Sequence, residues 1–428
     1  MKPTPGEGIQ RPIADPHEDE AIAAGLEDPE QLVERMLDPE RRGELYPYSH
    51  RLRALAPIHR SEARGLPPGT FVVTAFEAVD RIARSPAAVN DPRTARVFDY
   101  DGSGESPFYL MMSRAMLFLE RSEHDRVRRV VYKAFTPSAI APLRLLAEET
   151  AEELIDAVVE TGQMDFVSQF AYPYPLRAIM RLLGIPRDAE ATLERWAWDF
   201  ARAGDPMSST PERVDRGNAA AEGFGDFFAD LLAHRERRPG QDLITTLLAA
   251  EADGRRLARE EIIATLVLLL QAGHETTADL LGNAMIGFFR HPDAWSSLVR
   301  TGVSGVAEEL LRYDTSVQMS MRLARNPIEI AGVSIPAGSL IALSYGAANR
   351  DPSVFDDPDR LVVTRRPNHL SFSAGAYFCL GNALARTEID TALDVLARRL
   401  PGIRPARDHF TQRWTTRLRG PLELQVAW

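Results

Sequence analysis

Phe372-Ser373-Ala374-Gly375-Ala376-Tyr377-Phe378-Cys379-Leu380-Gly381 holds the only cysteine of the 428-residue chain, with the helical pattern of Asn382 to Leu400 directly behind it. Its small residues let backbone approach a flat ligand closely. A thiolate just before a helix start is favoured by the positive end of the helix dipole and by nearby amides, which suits a metal ligand. On residue type alone an inert buried cysteine is the commoner outcome; the loop context favours the ligand. A single cysteine also excludes an internal disulfide framework, a multi-thiolate zinc site and an iron–sulfur cluster.

Upstream, Glu260 to Phe289 is the longest helical period in the chain, about 30 residues or roughly 45 Å, with a nearly all-apolar first half. Gln271, His274, Glu275, Thr276, Thr277 and Asp279 interrupt it at its middle. That marks a helix buried in a protein core, with a polar patch half-way, and not a membrane span. Gly273 within it costs about 1 kcal/mol relative to alanine and so asks for a reason. A zinc-binding His-Glu-x-x-His starting at His274 fails, because Ala278 stands where the second histidine belongs.

Around these two stretches, Ile58-His59-Arg60 and Thr70 to Thr74 read as two short strands about a turn. Ser138 to Glu160 and Arg187 to Arg202 read as amphipathic helices. Ile328 to Ile330, Val333 to Ile335 and Leu340 to Leu343 alternate with Gly332, Pro336 and Gly338, which is strand-and-turn chemistry. Glu309 and Arg312, three apart, share a helix face; an exposed pair of this kind is worth only about 0.2–0.5 kcal/mol. His124 and Arg128, four apart, are placed to meet two anionic groups. Residues 1–25 are polar, rich in Pro and acids and without periodicity, so a flexible leader is expected there, with one domain over 26–428. The hydrophobic fraction of 44% provides for a large core, while a net charge of −11 has the wrong sign for a nucleic-acid binder. The N-terminus has no apolar run resembling a signal peptide or anchor, so a cytoplasmic protein that neither spans nor sits on a membrane is expected.

Phe-x-x-Gly-x-x-x-Cys-x-Gly resembles the haem-binding loop of the cytochrome P-450 superfamily of haem-thiolate monooxygenases. Ala272-Gly273-His274-Glu275-Thr276-Thr277 is similar to that family's oxygen-binding groove, and Glu309-Leu310-Leu311-Arg312 with Arg365 to its Glu-Arg-Arg set. The likeness extends from Tyr46-Pro47-Tyr48 through Leu183-Gly184-Ile185-Pro186 to Ala347-Ala348-Asn349-Arg350-Asp351-Pro352, and is strongest to soluble bacterial members. It implies a mainly α fold, a helical body with a long central helix over haem and a small β-rich region.

By this resemblance Cys379 is the axial iron ligand, whose thiolate favours O–O cleavage. Glu275 and Thr276 deliver protons, and Ala272 and Gly273 let the helix widen over the haem. His124, Arg128 and Arg322 meet the propionates, and Phe372, Tyr377 and Gly381 belong to the cofactor loop. Two residues depart from the family: Tyr377 stands where His or Arg is usual, which predicts weaker or rearranged propionate anchoring, and Ser373 stands where glycine is usual. Leu269, Ala272, Val317 and Thr415 are expected nearer the iron, with Phe98, Tyr100, Phe108, Tyr109, Met111 and Met112 available to line a cavity. The implied cofactor is haem b (iron protoporphyrin IX), with dioxygen as co-substrate and electrons from NAD(P)H through a ferredoxin and its reductase. Arg126, Arg129 and Lys133 are read as the docking face, and the protein as a monomer. The implied reaction is hydroxylation or epoxidation of a medium-to-large organic substrate, free or carrier-bound, in bacterial secondary-metabolite biosynthesis, with polyketide, terpenoid and peptide all open. The same iron could instead serve coupling, ring formation or C–C cleavage, or the fold could persist as a haem-free recruitment module.

Overall fold

A computed structural model describes residues 8–13, 23, 25–38, 40–41, 45–91, 95, 98–205, 210–240, 242–252, 255–413, 415 and 417–428. Where the sequence suggests one body over 26–428, the contacts group into two compact units, one of Met1–Ala88, Glu148–Pro173 and Thr276–Trp428, the other of Val89–Ala147 and Tyr174–Glu275. Their segments interleave along the chain, which is why no stretch of linker composition marks a boundary.

The first unit is built on sheet strands in the order Ile58–Ser61, Thr70–Val73, Leu340–Ser344, Met319–Ala324. Leu340–Ser344 runs parallel to Thr70–Val73, with Ile341 opposite Phe71, and antiparallel to Met319–Ala324, with Ile341 opposite Arg322. Alternate side chains point to opposite faces. Phe71, Val73, Ile341 and Leu343 therefore join one core with Val79, Ile82 and Ala83 of the helix Phe76–Arg84. Val72 and Ala342 join another with Leu32, Val33, Met36 and Leu52 of the helices Pro29–Leu37 and Leu45–Leu55. Burial on both faces explains the unbroken apolar run Phe71-Val72-Val73. The strand pair and the later strand-and-turn segment thus stand as the sequence pattern suggests.

The leader differs. Gly8–Pro12 is a strand, antiparallel to His409–Arg413, and Ile13 behind it is buried and donates its N–H to the Asp408 carbonyl at 2.8 Å. Its stability comes from ladder hydrogen bonds that satisfy the neighbouring strand, a contribution invisible to side-chain periodicity. The rest of the expected leader, apart from Ala23 and Gly25, lies outside the described residues.

The second unit is helical, with Pro107–Arg114, Arg121–Val131, Glu190–Ala203, Pro211–Arg237 and Leu243–Ala249 as its main pieces. Aromatic rings knit it together: Phe98 lies edge-on to Phe108 and Phe118 at 5.9 and 5.7 Å, and Phe108 meets Phe200 at 4.5 Å. Phe98 and Phe108 are each 1% exposed, so they serve packing and do not line a cavity. Tyr100 donates its hydroxyl to the Ala203 carbonyl, and Tyr109 and Met111 are half-buried while Met112 is buried. The long helix spans Arg259–Arg290 and belongs to this unit up to Glu275. Among the described residues no helix is long and apolar enough to cross a membrane.

Candidate active site

The cysteine loop is anchored at its start, middle and end. Ala374 sits inside the sheet core. Gly375 has φ +67°, and a Cβ there would lie 2.8 Å from the Ala83 carbonyl oxygen and 2.9 Å from Arg84 Cα, so only glycine fits against the helix Phe76–Arg84. Cys379 N–H donates to the Phe372 carbonyl at 2.8 Å, closing the loop, and Asn382 Nδ2 donates to the Cys379 carbonyl at 2.8 Å. The thiol is half-buried, two residues before the N-cap Gly381 and the helix Asn382–Arg399. A Cβ on Gly381 would meet nothing within 4 Å.

Phe372 is buried beneath the Arg386 guanidinium, 4.6 Å from the ring centroid. Arg386 also pairs with Glu308, whose other oxygen accepts from His369 at 3.1 Å. Burial alone would raise the Glu308 carboxyl, but hydrogen bonds and charge from His369 and Arg386 prevail and hold it at about 2.

Behind the loop lies the Glu309–Arg312 pair, and it is not the exposed pair that its spacing alone would suggest. Both side chains are 0% exposed. Arg312 Nε and Nη2 donate to the two Glu309 oxygens at 2.7 and 2.9 Å, and its remaining N–H groups reach the carbonyls of Asn349, Pro358 and Arg360 at 3.1, 2.7 and 3.1 Å. Arg365 Nη1 stands 3.6 Å from Glu309. Asn349 then passes the constraint on: its Oδ1 accepts from Leu370 N–H at 2.8 Å and its Nδ2 donates to Ser371 Oγ at 2.8 Å.

Arg322, on the strand Met319–Ala324, is buried and, among the described residues, makes no ion pair. Nη1 donates to Ser320 Oγ at 3.1 Å and to the Met321 carbonyl at 2.9 Å, and Nη2 donates to Ser373 Oγ at 3.1 Å. Its guanidinium carbon stands 4.9 Å from the Tyr377 ring centroid. The first unit thereby brings Arg322, Phe372, Ser373, Tyr377 and Cys379 together. Val317 and Thr415 meet through Leu418, which bridges Val317 and accepts the Thr415 hydroxyl at 2.6 Å.

The middle of the long helix combines burial with one accessible strip. His274, Glu275, Thr277, Ala278 and Asp279 are buried, whereas Ala272 is exposed and Gly273 and Thr276 are half-buried. Ala272 and Thr276, four apart, share a face. The helix does not widen at Gly273: it is α-helical throughout Arg259–Arg290. The glycine instead accommodates Ile179, whose Cδ1 would stand 3.2 Å from an added Cβ. Leu269 is buried one turn earlier. Thr277 Oγ1 donates to Glu388 at 3.3 Å, and complete burial pushes the Glu388 carboxyl well above its ordinary range.

His124 and Arg128 occupy one face of Arg121–Val131, His124 buried and Arg128 half-buried. Burial lowers the His124 pKa, against the pull of Asp125, 2.9 Å from its Nδ1. Arg126 is not part of a docking face: it is buried in ion pairs with Glu123, at 2.7 Å, and Glu261. Arg129 and Lys133 are exposed. No group of His, Cys, Asp and Glu among the described residues is placed to hold a metal ion by itself. Sequence reasoning missed Glu308, Ser320, Tyr345 and Glu388; only Ser373 carried a signal, as a departure from glycine.

The family model described as Cytochrome P450 matches residues 303–400. Cytochrome P450 133B1 of Xylella fastidiosa is 34% identical over 381 residues, 88% of this chain and 93% of the relative. Among solved structures, P450BioI in complex with acyl carrier protein ligated by hexadec-9Z-enoic acid superposes with a TM-score of 0.83 at 32% identity, covering 90% of this chain and 98% of that one. The cytochrome P450 PksS of the Bacillus subtilis 168 bacillaene polyketide synthase gives 0.80 at 31%, covering 89% and 96%.

Proposed function

Because the chain belongs to the cytochrome P450 family of haem-thiolate monooxygenases, we propose that Cys379 would hold the haem iron through its thiolate and that the substrate is a medium-to-large acyl or polyketide chain. Haem, when bound, supplies the iron at which dioxygen is reduced and one oxygen atom is inserted into a C–H or C=C bond. The observation that carries the assignment is the sole thiol, half-buried in a loop closed by the Cys379 N–H to Phe372 carbonyl bond, two residues before the N-cap of the helix Asn382–Arg399.

The other residues fit the same group. Arg322 is a buried cation with no ion pair among the described residues and an Nε–H that has no acceptor there, and a buried cation calls for an anion. A haem propionate is one; for His124 and Arg128 a propionate role rests on the family resemblance. Gly381 and Phe372 offer the macrocycle an open backbone and a flat apolar face; for Ala272 and Gly273 a place at the cofactor rests on the family resemblance. Thr276 holds a proton at Oγ1, and Glu275, buried beside it in sequence, exchanges protons with it. Tyr377 donates a phenol hydroxyl without charge.

A carrier-bound acyl or polyketide substrate is supported by the acylated carrier protein bound to P450BioI and by the polyketide synthase to which PksS belongs, and a role in bacterial secondary metabolism goes with it. The cofactor on this reading is haem b, and electrons pass from NAD(P)H through a ferredoxin reductase and ferredoxin, the exposed Arg129 and Lys133 contributing to docking. We place the enzyme in the cytoplasm as a monomer.

The test is turnover of graded fatty acids, free and as acyl carrier protein thioesters, with ferredoxin and its reductase, followed by mass spectrometry. Product with one added oxygen supports the reading. Oxidised product without added oxygen replaces insertion by coupling or desaturation.

A further inference from the structure

We infer that Ser373 is a positioning residue for haem, fixing the Arg322 guanidinium through a closed hydrogen-bonded ring and compensating for the missing charge at Tyr377. The inference rests on Arg322 as a propionate partner.

Ser373 has φ +60°, a left-handed conformation that glycine adopts freely and an L side chain resists. Local backbone economy would therefore favour glycine, so what the side chain does there is informative. Its Oγ accepts from Tyr345 Oη at 2.8 Å and from Arg322 Nη2 at 3.1 Å. Ser320 Oγ lies 2.6 Å from the same Tyr345 hydroxyl and accepts from Arg322 Nη1 at 3.1 Å.

The protons can be counted round the ring. Tyr345 has one, spent on Ser373, so Ser320 donates to Tyr345 and keeps its lone pairs for Arg322. Arg322 is thus gripped at both terminal nitrogens by hydroxyls that Tyr345 ties together. Among the described residues three donors remain unspent: Ser373 O–H, the second N–H of Arg322 Nη2 and the buried Arg322 Nε–H. A guanidinium held this way meets a carboxylate without losing rotamer entropy on binding, and the Ser373 proton adds a neutral donor. In the family resemblance that duty falls to a His or Arg at the position of Tyr377, whose ring here lies beneath the cation. The three ring partners come from a strand, the start of the short helix Tyr345–Ala348 and the cysteine loop.

The test is haem loss from the holoprotein to excess apomyoglobin, for wild type, Ser373→Gly, Tyr345→Phe, the double variant and Arg322→Leu. Ser373→Gly relieves backbone strain, so a purely structural role predicts loss at the wild-type rate or slower. The positioning role predicts loss about tenfold faster in both single variants, and no more than about twofold beyond that in the double variant. The thiolate-type band of the reduced carbon monoxide complex should stay in place in each. Wild-type retention by Ser373→Gly, with rapid loss from Arg322→Leu, overturns this inference alone. Wild-type retention by Arg322→Leu overturns the propionate assignment and this inference with it.

Discussion

Replacing Arg312 with methionine keeps most of the side-chain volume and removes one fully buried cation. It strands Glu309, also 0% exposed, with only the Val362 N–H at 2.9 Å and Arg365 at 3.6 Å, and leaves the Asn349, Pro358 and Arg360 carbonyls short of a donor. Breaking a buried pair from one side costs about 3–5 kcal/mol, a large part of the roughly 5–15 kcal/mol that holds a folded domain. Arg365→Ala is the internal control. Arg365 is 20% exposed and its contact with Glu309 is longer, so its loss should cost no more than about 1 kcal/mol. Urea unfolding followed by circular dichroism gives both numbers. The haem-to-protein absorbance ratio should also fall in Arg312→Met, because Asn349 connects that arginine to Leu370 and Ser371, directly before the cysteine loop. Equal destabilisation by the two variants would refute the reasoning, since it rests on the deeper burial and larger bond number of Arg312.

Gly375→Ala should destabilise the fold by about 2 kcal/mol or more, because it meets both a left-handed φ and the backbone of Ala83 and Arg84; Gly381→Ala, with open space around its Cβ, should stay within about 0.5 kcal/mol of wild type, and urea midpoints compare them. Glu308 is held below its ordinary pKa of 4.5, at about 2, so its contribution is present above 4.5 and lost as pH falls towards 2. Glu308→Gln should therefore be less stable than wild type at pH 7 and should show less acid-induced loss between those values, as thermal melts across pH would record. Thr276→Ala should keep consuming oxygen while product falls and hydrogen peroxide rises, with Thr276→Ser close to wild type; a normal product yield in the alanine variant would remove the proton role. Charge reversal at Arg129 and Lys133 should slow reduction by ferredoxin in stopped flow with haem content unchanged, whereas Arg126→Glu should lower haem content and stability through its buried pairs.

Much of this architecture can be read from local pattern. The long helix, the Ile58–Ser61 and Thr70–Val73 strand pair and the helix after the cysteine loop carry their periods in consecutive residues, and the loop announces itself by one thiol among glycines. Patterns of this kind do not reveal long-range satisfaction of polar groups. Gly8–Pro12 has no alternation, because the ladder to His409–Arg413 sustains it. Arg126 sits in a basic run that reads as a docking face, yet Glu261, 135 residues away, draws it inside. The Glu309–Arg312 spacing is commonplace, and its importance comes from three carbonyls supplied by distant segments. Ser320, Tyr345 and Ser373 share no sequence motif, and only folding brings their hydroxyls around one guanidinium.

The central claim is that Cys379 ligates haem iron as a thiolate. The most direct measurement is the absorption spectrum of the dithionite-reduced protein under carbon monoxide, beside a Cys379→Ala control. The account predicts a strongly red-shifted Soret band in the wild type that is absent from the control. A haem band without that shift, or one that survives loss of Cys379, would contradict it.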